Sequence, residues 1–368
     1  MRDHLVRVFA AGVAACHPRT VLPAYLPQAP EGRLIVLAVG KAGATMAEVA
    51  EAHYGERIEG VAVVPHGTPG ALNSIELVHA GHPLLDEASM AAAERLLALA
   101  GEAGPDDVVL VLLSGGASAL ACLPGDGLTL ADKRDLSNRL LRSGAPISEV
   151  NCVRRHLSRI KGGRLRADLT LAISDVRGDR PEDIGSGPTV ADPTTMEEAR
   201  TILAQYGIAA PSAGWLETTK EVSGEFRIIA TARDALNAAR AEAEALGYRV
   251  ELLGECYGDA ARTAAEHAER ARAAPPGTAL ISGGELSSPH EGNAPGGRNL
   301  TYARAAAERL EDPAGIAGLA ADTDGLDGST GAAGAFFDGS GVSPFVTGPT
   351  GTNVNDLRIL LVGPREGP

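Results

Sequence analysis

The sequence predicts a two-domain α/β protein whose N-terminal part is a parallel, doubly wound sheet. Runs such as 34–39 and 108–113 are the continuous Val/Ile/Leu segments of strands buried on both faces. They alternate with Ala-rich stretches of helical composition, the pattern of βα units. The length of 368 residues suits about two domains.

Taken in order, residues 4–16 read as an amphipathic helix, and Pro18, Pro23, Pro27 and Pro30 punctuate the connection after it. A strand over 34–39, a helical stretch over 42–52, strands at 61–64 and 74–79, a helix over 88–100 and the strand 108–113 follow. A further strand, 168–173, ends at Ser174-Asp175. The segment 206–223, with Pro211, Gly214 and the lone Trp215, reads as a linker, and a second α/β unit begins near residue 220. Its elements are a strand at 227–230, a helix over 232–246, a strand at 249–253, a helix over 258–273 and strands at 278–281, 316–320 and 357–362. The domains expected from this pattern are 1–215 and 222–368.

Hydrophobic residues make up 44% of the chain and charged ones 22%, which allows a full core; aromatics are only 3%, so that core rests on Ala, Leu, Val and Ile. A net charge of −14 opposes a nucleic-acid partner, whose phosphates need a basic surface. It leaves room for a small anionic substrate in a local positive pocket. Cys16, Cys122, Cys152 and Cys256 stand far apart with no C-x-x-C pair, which favours reduced thiols over a metal or disulfide framework. No apolar stretch approaches the roughly 20 residues of a membrane span, and Met1-Arg2-Asp3-His4 opens no signal-peptide core. A cytoplasmic protein without membrane contact is expected.

Two apolar runs end alike, 108–113 in Ser114-Gly115-Gly116 and 278–281 in Ser282-Gly283-Gly284. Paired glycines at a strand's C-terminal end let backbone N–H groups turn toward a ligand. Two such turns suggest two halves facing one anion. Lys41 follows a strand directly in Val39-Gly40-Lys41-Ala42, and it is one of four lysines in a chain with 29 arginines. An ammonium at a strand-to-helix turn suits phosphate or carboxylate, although a solvated lysine there is ordinary. No segment matches G-x-x-x-x-G-K-[ST], and no G-x-G-x-x-G follows a strand, which weighs against a P-loop and a nicotinamide site.

The basic run 153–164 reads equally as a solvated helix face or as an anion-facing turn closing in Lys161-Gly162-Gly163. Asp175 and Asp179, after a strand, suit a metal or a hydroxyl nucleophile, or serve as turn formers. Gly185-Ser186-Gly187-Pro188-Thr189 offers hydroxyls and N–H groups to a polyhydroxy acid. In the second half, Glu285 follows the glycine pair and Gly297-Arg298-Asn299 precedes a helix. The run 322–328 has D-x-D-G-x-D spacing but lacks the closing glutamate and the flanks of an EF-hand. The loop 347–356 carries hydroxyls and amides among glycines, suited to phosphate oxygens or to a plain turn.

In this order, Val39 to Ala42, Gly81-His82-Pro83, Leu113 to Leu120, Leu128 to Lys133, Asn151 to Gly163, Ser174 to Thr189, Ser282 to Glu285, Gly297 to Asn299, Thr323 to Gly328 and Thr347 to Asp356 resemble the glycerate 2-kinases, whose members were often labelled hydroxypyruvate reductases. The resemblance spans most of the chain. It implies a Rossmann-like N-terminal domain, a smaller MOFRL-like α/β C-terminal domain and an active site in the cleft between them. It implies Mg-ATP-dependent phosphorylation of a hydroxyl of glycerate, to 2-phosphoglycerate, or of a related sugar acid. Lys41, Arg298 and Asp324 match the family's catalytic candidates: two cations against the charge of the transferring phosphoryl group, and a carboxylate that orients or deprotonates the hydroxyl or helps place the metal. The expected nucleotide and phosphate contacts are Ser114, Gly115, Gly116, Ser118, Lys161, Gly283, Gly284, Thr350 and Asn353. The expected substrate contacts are Arg154, Arg177 and Ser186, and the expected Mg2+ ligands are Asp175, Asp179 and Glu285. A homodimer is compatible with this reading.

The chain departs from the family pattern at Ala117, Arg177 and Leu300-Thr301, and the stretch between the loops at Asp324 and Thr347 is shortened. Those departures keep an alternative in view, a non-catalytic or altered-specificity homologue that binds a sugar acid or nucleotide. A hydroxypyruvate reductase is the less favoured alternative, since the dinucleotide fingerprint is missing.

Overall fold

The computed structural model describes residues 1–288, 296–310, 315–328 and 330–363. They form two compact units, one of residues 22–229 and one of residues 1–21 with 230–368.

The chain opens on α1 (Arg2–Ala15) and the one-turn α2 (Pro18–Val21). The unit of 22–229 then runs β1 (Leu34–Val39), α3 (Gly43–Tyr54), β2 (Ile58–Pro65), β3 (Ile75–Ala80), α4 (Glu87–Gly101), β4 (Val108–Leu113) and α5 (Ala117–Leu120). It continues with α6 (Leu130–Arg142), α7 (Ile147–His156), β5 (Leu169–Ile173), α8 (Met196–Gln205) and β6 (Glu225–Ala230). The six strands lie in the order β3-β2-β1-β4-β5-β6, and β1 to β5 pair in parallel. The strand order reverses between β1 and β4. Open α/β sheets bind ligands at such a switch point, beyond the C-terminal ends of the strands. The doubly wound sheet expected from the sequence is therefore present.

Helices α6, α7 and α8 escape the sequence reading. They pack on one another through Leu136, Leu140, Val150, Val153, Leu157 and Leu203. Thr129 and Thr195 begin α6 and α8 with reciprocal capping boxes. The basic run is not a solvated helix face, because Arg155, His156 and Lys161 are all buried.

The other unit adds α9 (Ala232–Ala245), β7 (Arg249–Glu255), the two-residue β8 (Gly258–Asp259), α10 (Ala260–Ala273), β9 (Thr278–Gly283) and the two-residue β10 (Leu286–Ser287). It ends with α11 (Arg298–Arg309), β11 (Ile316–Asp322), β12 (Gly334–Asp338), β13 (Gly341–Phe345) and β14 (Asp356–Val362). Its sheet, β13-β12-β11-β14-β9-β7, is mixed: β7 and β9 are parallel and the other pairs antiparallel. The hairpin of β12 and β13 occupies the stretch between the Asp324 and Thr347 loops that the resemblance led us to expect shortened.

Helix α1 packs on α9 and β14, so the first 21 residues join the unit of 230–368 and not the N-terminal domain expected over 1–215. Gly12 makes the close approach feasible, since a Cβ there would meet Leu357 Cδ1 at 2.5 Å and the carbonyl oxygen of Ala235 at 3.1 Å. All four cysteines are unpaired thiols. Among the described residues no single helix is long and apolar enough to cross a membrane.

Candidate active site

The turns after β1 and β4 are zipped together at the switch point. The Lys41 N–H donates to the Gly115 carbonyl at 2.8 Å, and the Ser114 N–H donates to that of Val39 at 3.0 Å. The Ala42 N–H donates to Ser114 Oγ at 3.0 Å. Ser114 is fully buried, so its hydroxyl ties one turn to the other instead of reaching outward as the expected phosphate contact. The N–H groups of Gly115 and Gly116 meet no acceptor among the described residues. That leaves two donors suited to phosphate oxygens. Gly116 has φ +86°, and a Cβ on it would lie 3.0 Å from His82 Nε2 and 3.5 Å from Lys41 Cγ. The His82 ring and the Lys41 stem thus flank this glycine.

Beside Gly116 opens a cavity of about 340 Å³ whose wall includes His82, Ser118, Lys133, Arg134, Arg154 and Lys161 and no Asp or Glu. Lys133 is 3% exposed, and its ammonium donates to the Leu157 carbonyl at 2.9 Å. Arg134 donates through Nη2 to the Leu85 carbonyl, while its buried Nε has no partner. The Arg154 side chain, on α7, makes no hydrogen bond or ion pair among the described residues. Its neighbour Arg155 shows the contrast, with Asp192 at 3.0 Å and Asp183 at 3.6 Å. Burial lowers the pKa of Lys133 and Arg154, with no carboxylate to offset it. In a chain of net charge −14, Lys133, Arg134 and Arg154 in a wall without carboxylates make a site for an anion.

Lys161 points inward from the cavity wall. Its ammonium donates to the carbonyls of Ser118 at 2.8 Å and Ala121 at 3.3 Å and to Ser118 Oγ at 3.1 Å. Burial pushes its pKa down to about 7, and Lys133 and Arg154 act in the same direction against the opposing influence of Cys122. Between that value and the ordinary lysine pKa, the unfolded chain holds a proton that the folded chain lacks. Stability contributed by this group therefore rises with pH across the window and carries its full penalty below pH 7. Wild-type protein is expected to gain thermal stability relative to Lys161→Met between pH 7 and 9, read by paired melting curves; a constant difference would contradict a depressed lysine.

Ser118 accepts from Lys161 and lies 2.9 Å from Ser186 Oγ. Ser186 is fully buried, at φ +63°, and donates to Asn151 Oδ1 at 3.2 Å, so it braces the wall from behind instead of lining it. Arg177 is exposed on the loop after β5, where Asp175 and Asp179 are half-buried. The Asp179 carboxylate has no partner among the described residues. Within those residues no group of three or more His, Cys, Asp or Glu is placed to hold a metal. Mg2+ is ordinarily held by one or two carboxylates together with phosphate oxygens and water, and Asp175 and Asp179 fit that donor type.

In the other unit, Arg298 starts α11 inside a carboxylate cage: Nε donates to Asp356 at 2.8 Å, Nη1 to Glu285 at 2.9 Å and Nη2 to Asp322 at 2.6 Å. Burial opposes its charge, but Asp356 and Asp322 outweigh it and raise the pKa. Glu285, expected as a metal ligand, is engaged in this ion pair. Arg358, fully buried, adds a second cation on Asp356 at 3.1 Å and donates to Ser282 Oγ and to the carbonyls of Gly283 and Gly284. The second glycine turn is thus held from beneath by an arginine that the sequence reading missed. Asp324 lies on the loop after β11; its N–H donates to Asp322 Oδ1 at 3.0 Å and its Oδ1 accepts from Leu326 N–H at 2.8 Å. Asp327 caps α11 by accepting from the N–H groups of Asn299 and Leu300.

The loop expected to offer Thr350 and Asn353 to phosphate spends these side chains internally. Thr350 Oγ1 donates to the Thr323 carbonyl, and Asn353 is buried with Oδ1 at 3.4 Å from the Asn355 N–H. The residues missed around the cavity, Lys133 and Arg134, sit on a polar helix. One signal pointed there: Lys41, Lys133 and Lys161 are three of only four lysines in an arginine-rich chain.

Comparison with known proteins decides the family. A family model described as a domain of unknown function, DUF4147, matches residues 4–215, and the MOFRL family model matches residues 278–345. The D-glycerate 2-kinase of Thermotoga maritima is 36% identical over 405 residues, covering 97% of each chain. The chain belongs to the glycerate 2-kinase family. A crystal structure of a glycerate kinase from Thermotoga maritima matches this glycerate 2-kinase family member with a TM-score of 0.87 at 34% identity, covering 98% of this chain and 99% of that one. A protein of Agrobacterium vitis provisionally named a hydroxypyruvate reductase is 41% identical over 418 residues, covering 98% of this chain and 94% of its own. Relatives of this glycerate 2-kinase family member thus carry both names.

Proposed function

We propose that this chain is an ATP-dependent phosphotransferase that phosphorylates a hydroxyl of glycerate, forming 2-phosphoglycerate, or of a closely related sugar acid. The observation that carries the proposal is the cation-lined, carboxylate-free cavity beside Gly116. Phosphoryl transfer asks the protein mainly for positioning and for charge stabilisation. The Lys41 ammonium, on the turn that flanks Gly116, stabilises charge on the transferring group, and the Gly115 and Gly116 N–H donors orient phosphate oxygens. Asp324 orients the acceptor hydroxyl and takes up its proton as the oxygen bonds to phosphorus and the bond to ADP breaks. Arg298 holds Asp322, which holds the Asp324 backbone, so its role in this proposal is to position Asp324. Asp175 and Asp179 would hold Mg2+, which when bound disperses phosphate charge.

Release of ADP from Mg-ATP, followed with D-glycerate, with four- to six-carbon sugar acids and with no acceptor, tests this reading. Acceptor-dependent ADP with D-glycerate or a longer acid supports the kinase. Folded protein that binds ATP yet releases no ADP with any acid would leave a binding homologue instead. Hydroxypyruvate-dependent NADPH oxidation would overturn the proposal in favour of a reductase.

A further inference from the structure

We propose that the cavity beside Gly116 is the subsite for the acceptor's carboxylate, and that Arg154 and Lys133 select acids over neutral polyols. The proposal rests on the kinase reading; it takes up Arg154, a substrate contact that the resemblance implies, and adds Lys133 and the part of the substrate the two recognise.

Three features favour a small carboxylate over the nucleotide. The first is charge. Lys133 is almost fully buried with one backbone acceptor, Arg134 carries a buried unpartnered Nε, and the Arg154 guanidinium has no partner among the described residues. Buried cations are costly unless paired, and a bound anion supplies the missing charge. The fork of a guanidinium matches a carboxylate in bidentate geometry.

The second feature is spacing on α6. Ser137 and Asn138 stand four residues after Lys133 and Arg134 and line the same cavity. Residues four apart share a helix face, so two cations are followed, one turn on, by a hydroxyl and an amide. That sequence of groups reads a carboxylate and then the hydroxyl next to it. The third is size. A volume of about 340 Å³ suits a short acid but does not enclose a nucleoside triphosphate, and no Phe, Tyr or Trp lines the wall to receive a base.

The test uses the full chain and two readouts. Titration calorimetry with D-glycerate alone measures binding without nucleotide, with glycerol as the neutral control. Steady-state kinetics then give separate KM values for D-glycerate and ATP. Arg154→Gln is the main variant, because no described hydrogen bond depends on that side chain; Arg154→Lys restores the charge, and Lys133→Gln is included where it folds. Loss of a charge-assisted contact is expected to weaken D-glycerate about ten- to a hundredfold while leaving the KM for ATP unchanged, with partial rescue by Arg154→Lys. A raised KM for ATP with unchanged D-glycerate would assign the cavity to nucleotide phosphates and overturn the proposal. So would D-glycerate affinity that is identical in folded wild type and Arg154→Gln. Should wild type release no ADP with any acid, yet bind D-glycerate in a manner lost in Arg154→Gln, the carboxylate subsite stands and the kinase reading falls.

Discussion

Replacing Lys41 by methionine is expected to lower turnover about a hundred- to a thousandfold, the usual loss when one preorganised charge-stabilising group is removed. Thermal stability should fall far less than turnover. The contact that fixes the turn after β1 is made by the Lys41 backbone, to the Gly115 carbonyl at 2.8 Å, and methionine retains an apolar stem beside Gly116. Steady-state kinetics and melting curves on the same preparation separate the two quantities. A large loss of folded protein with intact specific activity would show that Lys41 serves the fold.

Arg298→Met should behave in the opposite way, with stability failing first. Its guanidinium is the shared partner of Asp322, Asp356 and Glu285, and the first two carboxylates are 3% and 0% exposed. Removing one member of a buried ion pair costs about 3–5 kcal/mol because the charges left behind are uncompensated. Arg358 remains on Asp356 and offsets part of that loss. Arg298→Lys keeps the charge but cannot reach three acceptors in a plane, so it should recover only part of the stability. Denaturant unfolding gives the answer. A variant as stable as wild type but slow in turnover would mean that Arg298 acts on the transferring phosphoryl group directly and does not position Asp324.

The parallel sheet was legible in the sequence because strands buried on both faces leave little choice of residue; β1 and β4 are continuous apolar runs. Helix α6 was not, because its inward face carries Lys133, a residue that patterning rules put in solvent. Buried charge violates the hydrophobic pattern wherever a site needs it, so the positions hardest to read are those with a chemical role.

The polar residues of the glycine turns mislead for a related reason. A serine at a strand end reads as a ligand contact, yet Ser114 accepts from the Ala42 N–H and Ser282 accepts from Arg358. Composition tells that a hydroxyl is present; only the surrounding backbone decides which way it turns. Arg154 and Arg155 make the same point with charge. They are adjacent in sequence, and three-dimensional packing alone gives one of them two aspartates and the other a cavity.

The most direct test of phosphoryl transfer to glycerate is the identity of the product. Purified protein, Mg-ATP and D-glycerate are incubated and followed by ³¹P NMR. The account predicts that the γ-phosphate signal of ATP gives way to a phosphomonoester assigned as 2-phosphoglycerate, one for each ADP formed. Inorganic phosphate alone, or a signal that is the same without D-glycerate, would contradict it.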